Sequence, residues 1–478
     1  MKPKILPILL TAGLCFSAAM TGCSVPVTEI PDSENTDTHS NIPIEPVEII
    51  AAKKGETSDF CLVVSTSDNV NVIGASVRQI NTFVEAATGS EWPLVKDTSG
   101  ETHNHEIVIG AGRHPDCAAL TDTLEKNEYA IQSIYDPKTD TAKLIVAYKG
   151  DFARIMVLDL VLKEFLQEDA FVFLSDVKIR GSAVESDIIT THTTMPGLRD
   201  PFILRDETGV YYAYGTGWLC YSNDSGSLNG EWKNLGVCVT DPEDAEADRW
   251  APEVYAYNGA YYMFTTYRSS KTGHRGCAVF RSDVPQGPFT LHSEGHITPE
   301  DWDSIDGSLY VDREGKPWMV FVHEWTSTDD SVGRMCVAPM SEDLTGLGGE
   351  PIELFTAHDP AWASGDITDG CFLYEREDGG LVMLWSNWDG FGYAIGTLTN
   401  TEGKPDGTWE HNELLLYSKK LTGTWDGGHG MLFTDEDGQM YLFCHSPNSA
   451  TAERNTYPIS IPVREMYGTL VWDVWKSE

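Results

Sequence analysis

Asp200, Asp306, Asp369 and His429 open similar stretches of sequence: Arg199-Asp200-Pro201, Ile305-Asp306-Gly307, Thr368-Asp369-Gly370 and Gly428-His429-Gly430. Trp250-Ala251-Pro252 is a fifth opening of the same kind. An aspartate at the start of a strand often only caps a turn, its carboxylate accepting the next backbone N–H. Three in register ask for more than capping. Carboxylates gathered in one place must hold a cation, share protons or spread their pKa values apart. Two carboxyl groups across a cleft, one protonated and one ionised, are the equipment of glycosidic bond hydrolysis. Trp250, Trp385 and Trp388 stand near the same level and have flat faces suited to stacking on sugar rings, although a single tryptophan is more often core. Glu253 and Glu324 are alternative acids, with Glu253 nearer the same rim.

The elements that must carry these residues repeat. RDPFILRDETGVYYAYGTG from Arg199 reads as a strand, a polar turn ending at Gly209 and a second, aromatic-rich strand. Hairpins of the same form begin at Trp250, Ile305, Thr368 and Gly428, with turn glycines Gly259, Gly315, Gly379 and Gly438. These glycines are roughly 50–64 residues apart, a period typical of propellers. Five hairpins, each followed by space for two more strands, predict an all-β five-bladed β-propeller over residues 190–478. The first strand of a blade lies innermost, so equivalent positions meet around the central channel. Overlaying the openings puts Asp200, Ala251, Asp306, Asp369 and His429 at one level. The alternating run from Tyr467 to Trp475 is expected to complete a blade together with the start of the domain.

Arg199-Asp200-Pro201, Trp250-Ala251-Pro252-Glu253-Val254, Ile305-Asp306-Gly307-Ser308-Leu309 and Gly427-Gly428-His429-Gly430 together resemble glycoside hydrolase family 43. The resemblance spans about 280 residues, with four motifs in the family's order. It implies a five-bladed propeller that cleaves arabinose- and xylose-containing glycans with inversion. It implies that Asp200 is the general base, that Asp306 tunes and orients the acid, and that His429 matches a channel histidine lying beside a calcium or its water shell. No cofactor is expected beyond that structural calcium. One slot departs from the pattern: the family's acid is a Glu before Gly-Pro, and this chain has Asp369-Gly370-Cys371, one methylene shorter. The resulting assignment is Asp200, Asp306 and Asp369 as catalytic groups, with Arg199, Trp250, Glu253, Trp385 and His429 contacting a carbohydrate substrate. The departure at Asp369 keeps a non-catalytic glycan-binding protein open as an alternative. Another five-bladed glycosidase or phosphorylase is a second.

A formal net charge of -40 argues against nucleic acid or an anionic membrane surface as partner. Residues 1–22 read as a lipoprotein signal peptide. Lys2 and Lys4 precede an apolar run from Ile5 to Ala19, and Met20-Thr21-Gly22-Cys23 resembles a lipobox, which would make Cys23 the lipidated N-terminus of an exported, surface-anchored protein. Residues 23–50 are polar and read as a tether. Residues 51–186 alternate strand and helix signals: Phe60–Ser65, Glu106–Gly110, Lys143–Tyr148 and Phe171–Ile179 as strands, Asn71–Ala87 and Asp151–Gln167 as helices. They predict a small α/β sandwich with two helices on one side of a sheet. EIVIGAGRHPD followed by KLIVAYKGDFARIMVLDLVLKEFL resembles the domain that precedes the catalytic barrel of α-glucuronidases and β-hexosaminidases. His103 and His105 are expected in a solvated loop. The eight cysteines beyond the leader show no metal-site spacing, and Cys220 and Cys238 are either a disulfide or buried thiols.

Overall fold

The computed structural model describes residues 45–66 and 73–476. The leader, Cys23 and most of the expected tether lie outside them. From Glu48 to Ser182 the chain builds a mixed sheet flanked by helices. Its strands run in the order Leu94–Lys96, Cys61–Val64, His105–Ile109, Thr141–Tyr148, Glu128–Asp136 and Lys178–Ser182. The first four are parallel and the last two antiparallel to their neighbours. Helix α1 is Ile73–Thr88, α2 is Pro115–Asp122 and α3 is Asp151–Phe165. Alternate strand residues face opposite ways: Leu62, Ile107, Leu144 and Val146 pack with α1 and α3, while Val63, Val108, Ile145 and Ala147 pack with Cys117 of α2.

Three details differ from the sequence reading. A third helix, α2, covers the second sheet face; it starts with Pro115 in the first turn, and its short length hides its period. Phe171–Ile179 is two strands rather than one. Ser175-Asp176 turns the chain, so that Ala170–Leu174 pairs with Glu48–Lys53 while Lys178–Ser182 joins the large sheet. His105 begins a strand, stacked 5.1 Å from Phe60 with Nδ1 2.6 Å from Asp59.

Five antiparallel sheets follow, four of four strands and the last of five, each built on one of the hairpins read from the sequence. Their inner strands are Phe202–Arg205, Ala245–Tyr257, Ser304–Val311, Asp369–Glu375 and Gly428–Thr434, in blades 1 to 5. The five turn glycines all have φ between +79° and +91°, which their tight turns require and only glycine adopts freely. Blade 5 is closed twice over: Tyr457–Met466 pairs with Thr469–Trp472 and also with Thr190–Thr191 from before the first blade. Cys220 and Cys238 are free buried thiols.

The N-terminal layer shares one apolar cluster with blades 4 and 5, including Leu416, Leu421, Val471 and Trp472. Helix α3 sits in this seam and is buried nearly all round instead of along the single predicted stripe. Its two fully buried charged residues there are both bonded. Arg154, 1% exposed, donates to Asp151 and to the Leu421 carbonyl at 2.7 Å. Asp159, 5% exposed, accepts from Arg464 and from the N–H groups of Val474 and Trp475. Removing one member of a buried charged network leaves its partners uncompensated. Asp159→Ala is therefore expected to lower unfolding stability by about 3 kcal/mol, read as a drop in the urea midpoint with an unchanged slope.

Candidate active site

Each inner strand is distorted where it approaches the channel. In blades 2 to 5 the ladder slips after Trp250, Ile305, Asp369 and Gly428, so that three residues on the inner strand span two on its partner. This is a β-bulge. The residue after each slip has a left-handed backbone: Ala251 (φ 43°), Asp306 (56°), Gly370 (55°) and His429 (51°). Asp200, just ahead of the first strand of blade 1, has φ 51°. These five are the equivalent positions, which corrects the overlay at one point. Gly370, not Asp369, stands level with Asp200, Asp306 and His429. Asp369 belongs one step earlier, with Arg199, Trp250, Ile305 and Gly428. The bulge backbone, invisible in the sequence, decides the register.

The N–H of every bulge residue is taken by the preceding blade. Ala251 N–H donates to Thr216 Oγ1 (3.2 Å), Asp306 to Thr266 Oγ1 (3.0 Å), His429 to Ser386 Oγ (2.9 Å) and Asp200 to His445 Nδ1 (3.2 Å). In blade 3 the corresponding second-strand residue is Val322, opposite Ile305, which has no acceptor to offer. There Asp306 itself takes the next N–H, accepting from Gly370 at 2.8 Å through Oδ2. The same carboxylate thus faces the channel and anchors the residue beside Asp369. His445, Tyr393, Thr216 and Asn448 are site residues that the sequence reading passed over. The signal lay in the second strands, where Thr216, Thr266, Ser386 and His445 recur at one place in four hairpins.

The protonation states follow from this packing. His445 is fully buried and pushed down to about 4 by desolvation. It is neutral, accepting from the Asp200 N–H at Nδ1 and donating from Nε2 to Asn448 Oδ1 at 3.1 Å. Arg199 spends its guanidinium on the same Asn448, at 2.7 and 2.8 Å. His429 is different: its Nδ1 lies 3.4 Å from Asp200 Oδ1 and 3.7 Å from Asp306 Oδ2. Burial works to lower its pKa, but Asp306 and Asp200 overcome this and raise it toward the imidazolium form. Asp200 answers in the opposite sense. Burial would raise it, but His429, then Arg199 and the Thr216 hydroxyl donating to Oδ2, hold it below the ordinary carboxylate value. Asp306, 6% exposed, is raised by burial against the pull of His429 and the Gly370 N–H.

Asp369 is pushed up to about 8, first by burial and then by the neighbouring charge of Asp306. Its Oδ2 accepts from the Tyr393 hydroxyl at 3.0 Å, while Oδ1 is buried without a partner among the described residues. Glu253 is buried between the Tyr255 hydroxyl, which donates to it, and Ser308, and burial pushes it up to about 7. One low-dielectric cluster therefore holds an ionised carboxylate and a protonated carboxyl at neutral pH.

The other expected site residues separate clearly. Trp250 lies on the rim with the Arg275 guanidinium 5.1 Å from its ring. Trp385 is fully buried, 5.0 Å from both Phe355 and Trp362, and the expectation that it stacks on a sugar is corrected: it is blade core. Trp388, 39% exposed and 5.6 Å from Tyr393, is the tryptophan of that strand open to solvent. Glu324 is buried and gripped by Arg275 through both oxygens at 2.6 and 2.7 Å, an ion pair rather than an acid. His429 lies among carboxylates and not in a ligand cluster of its own. The nearest carboxylate oxygens meet its Nδ1, and no group of three or more His, Cys, Asp or Glu side chains among the described residues is arranged to hold a metal ion.

Residues 194–460 match the family described as glycosyl hydrolases family 43, more than half of the chain. The chain belongs to that family. It is a glycoside hydrolase, and its propeller carries the family's motifs. An endo-arabinase from Bacteroides thetaiotaomicron is 34% identical, with a TM-score of 0.52 over 58% of this chain and 98% of that one. An arabinan endo-1,5-alpha-L-arabinosidase A from Aspergillus niger is 24% identical over 271 residues, 54% of this chain and 75% of its own length. A probable enzyme of the same name from Aspergillus flavus is 24% identical over 257 residues, covering 52% and 74%.

Two substitutions probe the cluster. Tyr393→Phe removes the hydroxyl that favours the Asp369 carboxylate, so the alkaline limb of the pH–rate profile is expected to move to higher pH. Gly370→Ala forces a β-carbon to 2.7 Å from the His429 Cα at a left-handed φ. Its expected result is a loss of at least tenfold in kcat/KM together with a lower melting temperature.

Proposed function

We propose that this glycoside hydrolase cleaves arabinan or a related arabinose- or xylose-containing plant polysaccharide with inversion at the anomeric carbon. The observation that carries the reading is the split between the two carboxyl groups: Asp200 held low beside His429, and Asp369 held at about 8. Asp200 removes a proton from water as the water attacks the sugar. Asp369 gives its proton to the departing glycosidic oxygen from the otherwise unpartnered Oδ1. Asp306 serves both, because its charge keeps Asp369 protonated and its bond to the Gly370 N–H fixes the backbone that carries the acid. The names of the arabinan-cleaving relatives support the pentose substrate, and Trp250 and Trp388 supply aromatic faces at the rim. His429 acts as the positive charge between the two carboxylates.

The N-terminal layer is read as an accessory domain of the kind that precedes α-glucuronidase and β-hexosaminidase barrels; its mixed sheet with helices on both faces supports that reading. Export and a lipid anchor at Cys23 rest on the leader pattern. Mass spectrometry of the mature protein should find a diacylglyceryl-modified Cys23 at its start.

Incubation with linear arabinan, arabinoxylan and xylan, with products followed by proton NMR, should show the anomer inverted at first appearance. Retention would overturn the single-displacement scheme. The rate should follow a bell in pH. Activity should be lost below the ordinary carboxylate range as Asp200 protonates, and above about pH 8 as Asp369 ionises. Asp200→Asn should cut kcat by a factor on the order of 10³ or more. Asp306→Asn should move the alkaline limb to lower pH, because the charge that raises Asp369 is gone.

A further inference from the structure

Two adjoining cavities, of about 570 and 770 Å³, run along the seam between helix α1 and the outer edge of blade 4. Both volumes lie within the range of ligand pockets. Arg78 of α1, and His411, Asn412 and Glu413 of the blade edge, line both, so the two form one groove. One end borders the catalytic rim. Ser364, in its wall, donates its N–H to the Trp388 carbonyl at 2.8 Å; Trp388 packs on Tyr393, and Tyr393 holds Asp369. The other end reaches Arg376 and Asp378, in the turn that closes the far end of the Asp369 strand.

The walls have the chemistry of a sugar groove. Trp362 lies flat on the blade: its indole occupies the space above Gly396, where a β-carbon would meet it at 2.3 Å, and it packs 5.0 Å from Trp385. It is a rigid aromatic platform. The Trp362 Nε1 and both ring nitrogens of His411 are buried without a hydrogen-bond partner among the described residues, beneath the wall and not on its surface, so contact with a ligand falls to the Trp362 ring and to Arg78, Asn412 and Glu413. The charges are mixed, with Arg78 and Lys420 against Asp359, Asp389 and Glu413, and Lys420 lies 3.8 Å from Asp389, so neither sign forms a patch. Such walls suit a neutral chain rich in hydroxyl groups. A polyanion would also be repelled by the protein's net charge of -40.

We propose that this seam is a second binding groove for a neutral pentose polysaccharide, holding a stretch of the same polymer whose glycosidic bond is cut beside Asp369. It rests on the pentose-glycan reading above. The groove gives the N-terminal layer a function, since α1 forms one wall. A polymer held at two places returns to the catalytic cleft at high effective concentration, whereas a trisaccharide confined to the cleft gains nothing.

The test uses the full chain, with Trp362→Ala and, because that change also disturbs packing on Trp385, a second variant, Arg78→Ala/Asn412→Ala, on the groove walls alone. Native affinity gels containing linear arabinan or arabinoxylan read binding without turnover. Steady-state rates on polymer and on a trisaccharide read catalysis. Each folded variant should lose about fivefold in affinity for the retaining polymer and gain about fivefold in KM for it, with kcat/KM on the trisaccharide within twofold of wild type. A double variant with the wild-type melting temperature and unchanged polymer retention overturns the groove. So does a parallel loss on the trisaccharide, or a wild-type protein retained by neither polymer. A wild-type protein that is retained through these residues yet cleaves neither polymer sinks the substrate reading and leaves the groove standing.

Discussion

The ring of hydrogen bonds between blades, at the left-handed residue of each blade's first hairpin, is the constraint on which the site depends. A bulge frees a backbone N–H from its ladder, and burying it unpaired costs roughly 1–3 kcal/mol. Five such groups converge on the channel, and each is satisfied by a side chain of the blade before it: Thr216, Thr266, Asp306, Ser386 and His445. The ring therefore satisfies these buried N–H groups and ties neighbouring blades together in one device. It also sets the positions of the proposed catalytic groups, because the left-handed residues that donate these N–H groups include Asp200, Asp306 and His429. Four links are neutral. The fifth, from blade 3 to blade 4, is made by a carboxylate, so one of the bonds that closes the ring comes from a residue of the proposed catalytic set.

That choice has an electrostatic consequence. Asp306 is held in the channel by the Gly370 N–H, so its carboxyl is a built-in neighbour of Asp369. Burial and the charge of Asp306 act in the same direction on Asp369, and both act to keep its proton. At Asp200 the signs reverse, since the nearest charge is His429 and the second histidine, His445, has been made a neutral hydrogen-bond acceptor by complete burial. Two aspartates of identical intrinsic chemistry are thereby driven apart by which neighbour each meets first. Arg199 does not reach either directly through a hydrogen bond; by clamping Asn448 it fixes the tautomer of His445, and through that the backbone of Asp200.

The five-bladed architecture was legible because each hairpin repeats a turn whose glycine has no substitute. Asp200, Asp306 and His429 were legible because the openings repeat as well. The register of Asp369 was not. Aligning aspartate with aspartate is natural in a sequence, yet a bulge is a property of backbone angles, and Gly370 carries the matching angle without a side chain to announce it. Trp385 illustrates a second limit. It and Trp388 are three residues apart on one strand, and only the packing of Phe355 and Trp362 against the first shows which is core. Helix α3 illustrates a third: an apolar stripe reads as one buried face, but a helix caught between a sheet and a propeller is buried on the others too, and its charged residues then become bonded parts of the seam.

The seam connects these observations. Asp159 and Arg464 join α3 to the last outer strands of blade 5, and Arg154 joins it to the Leu421 carbonyl in the short helix Lys419–Thr422, a few residues before the Gly428 strand and His429. The N-terminal layer is thus bonded to the two blades, 4 and 5, whose inner strands supply Asp369 and the imidazole between the carboxylates. A positional error of about 1 Å at a catalytic group costs on the order of a hundredfold in rate. An acid one methylene shorter than glutamate has less slack with which to absorb such an error. The bonds from the N-terminal layer to the outer edges of these blades oppose the displacement that the proposed acid, Asp369, tolerates least.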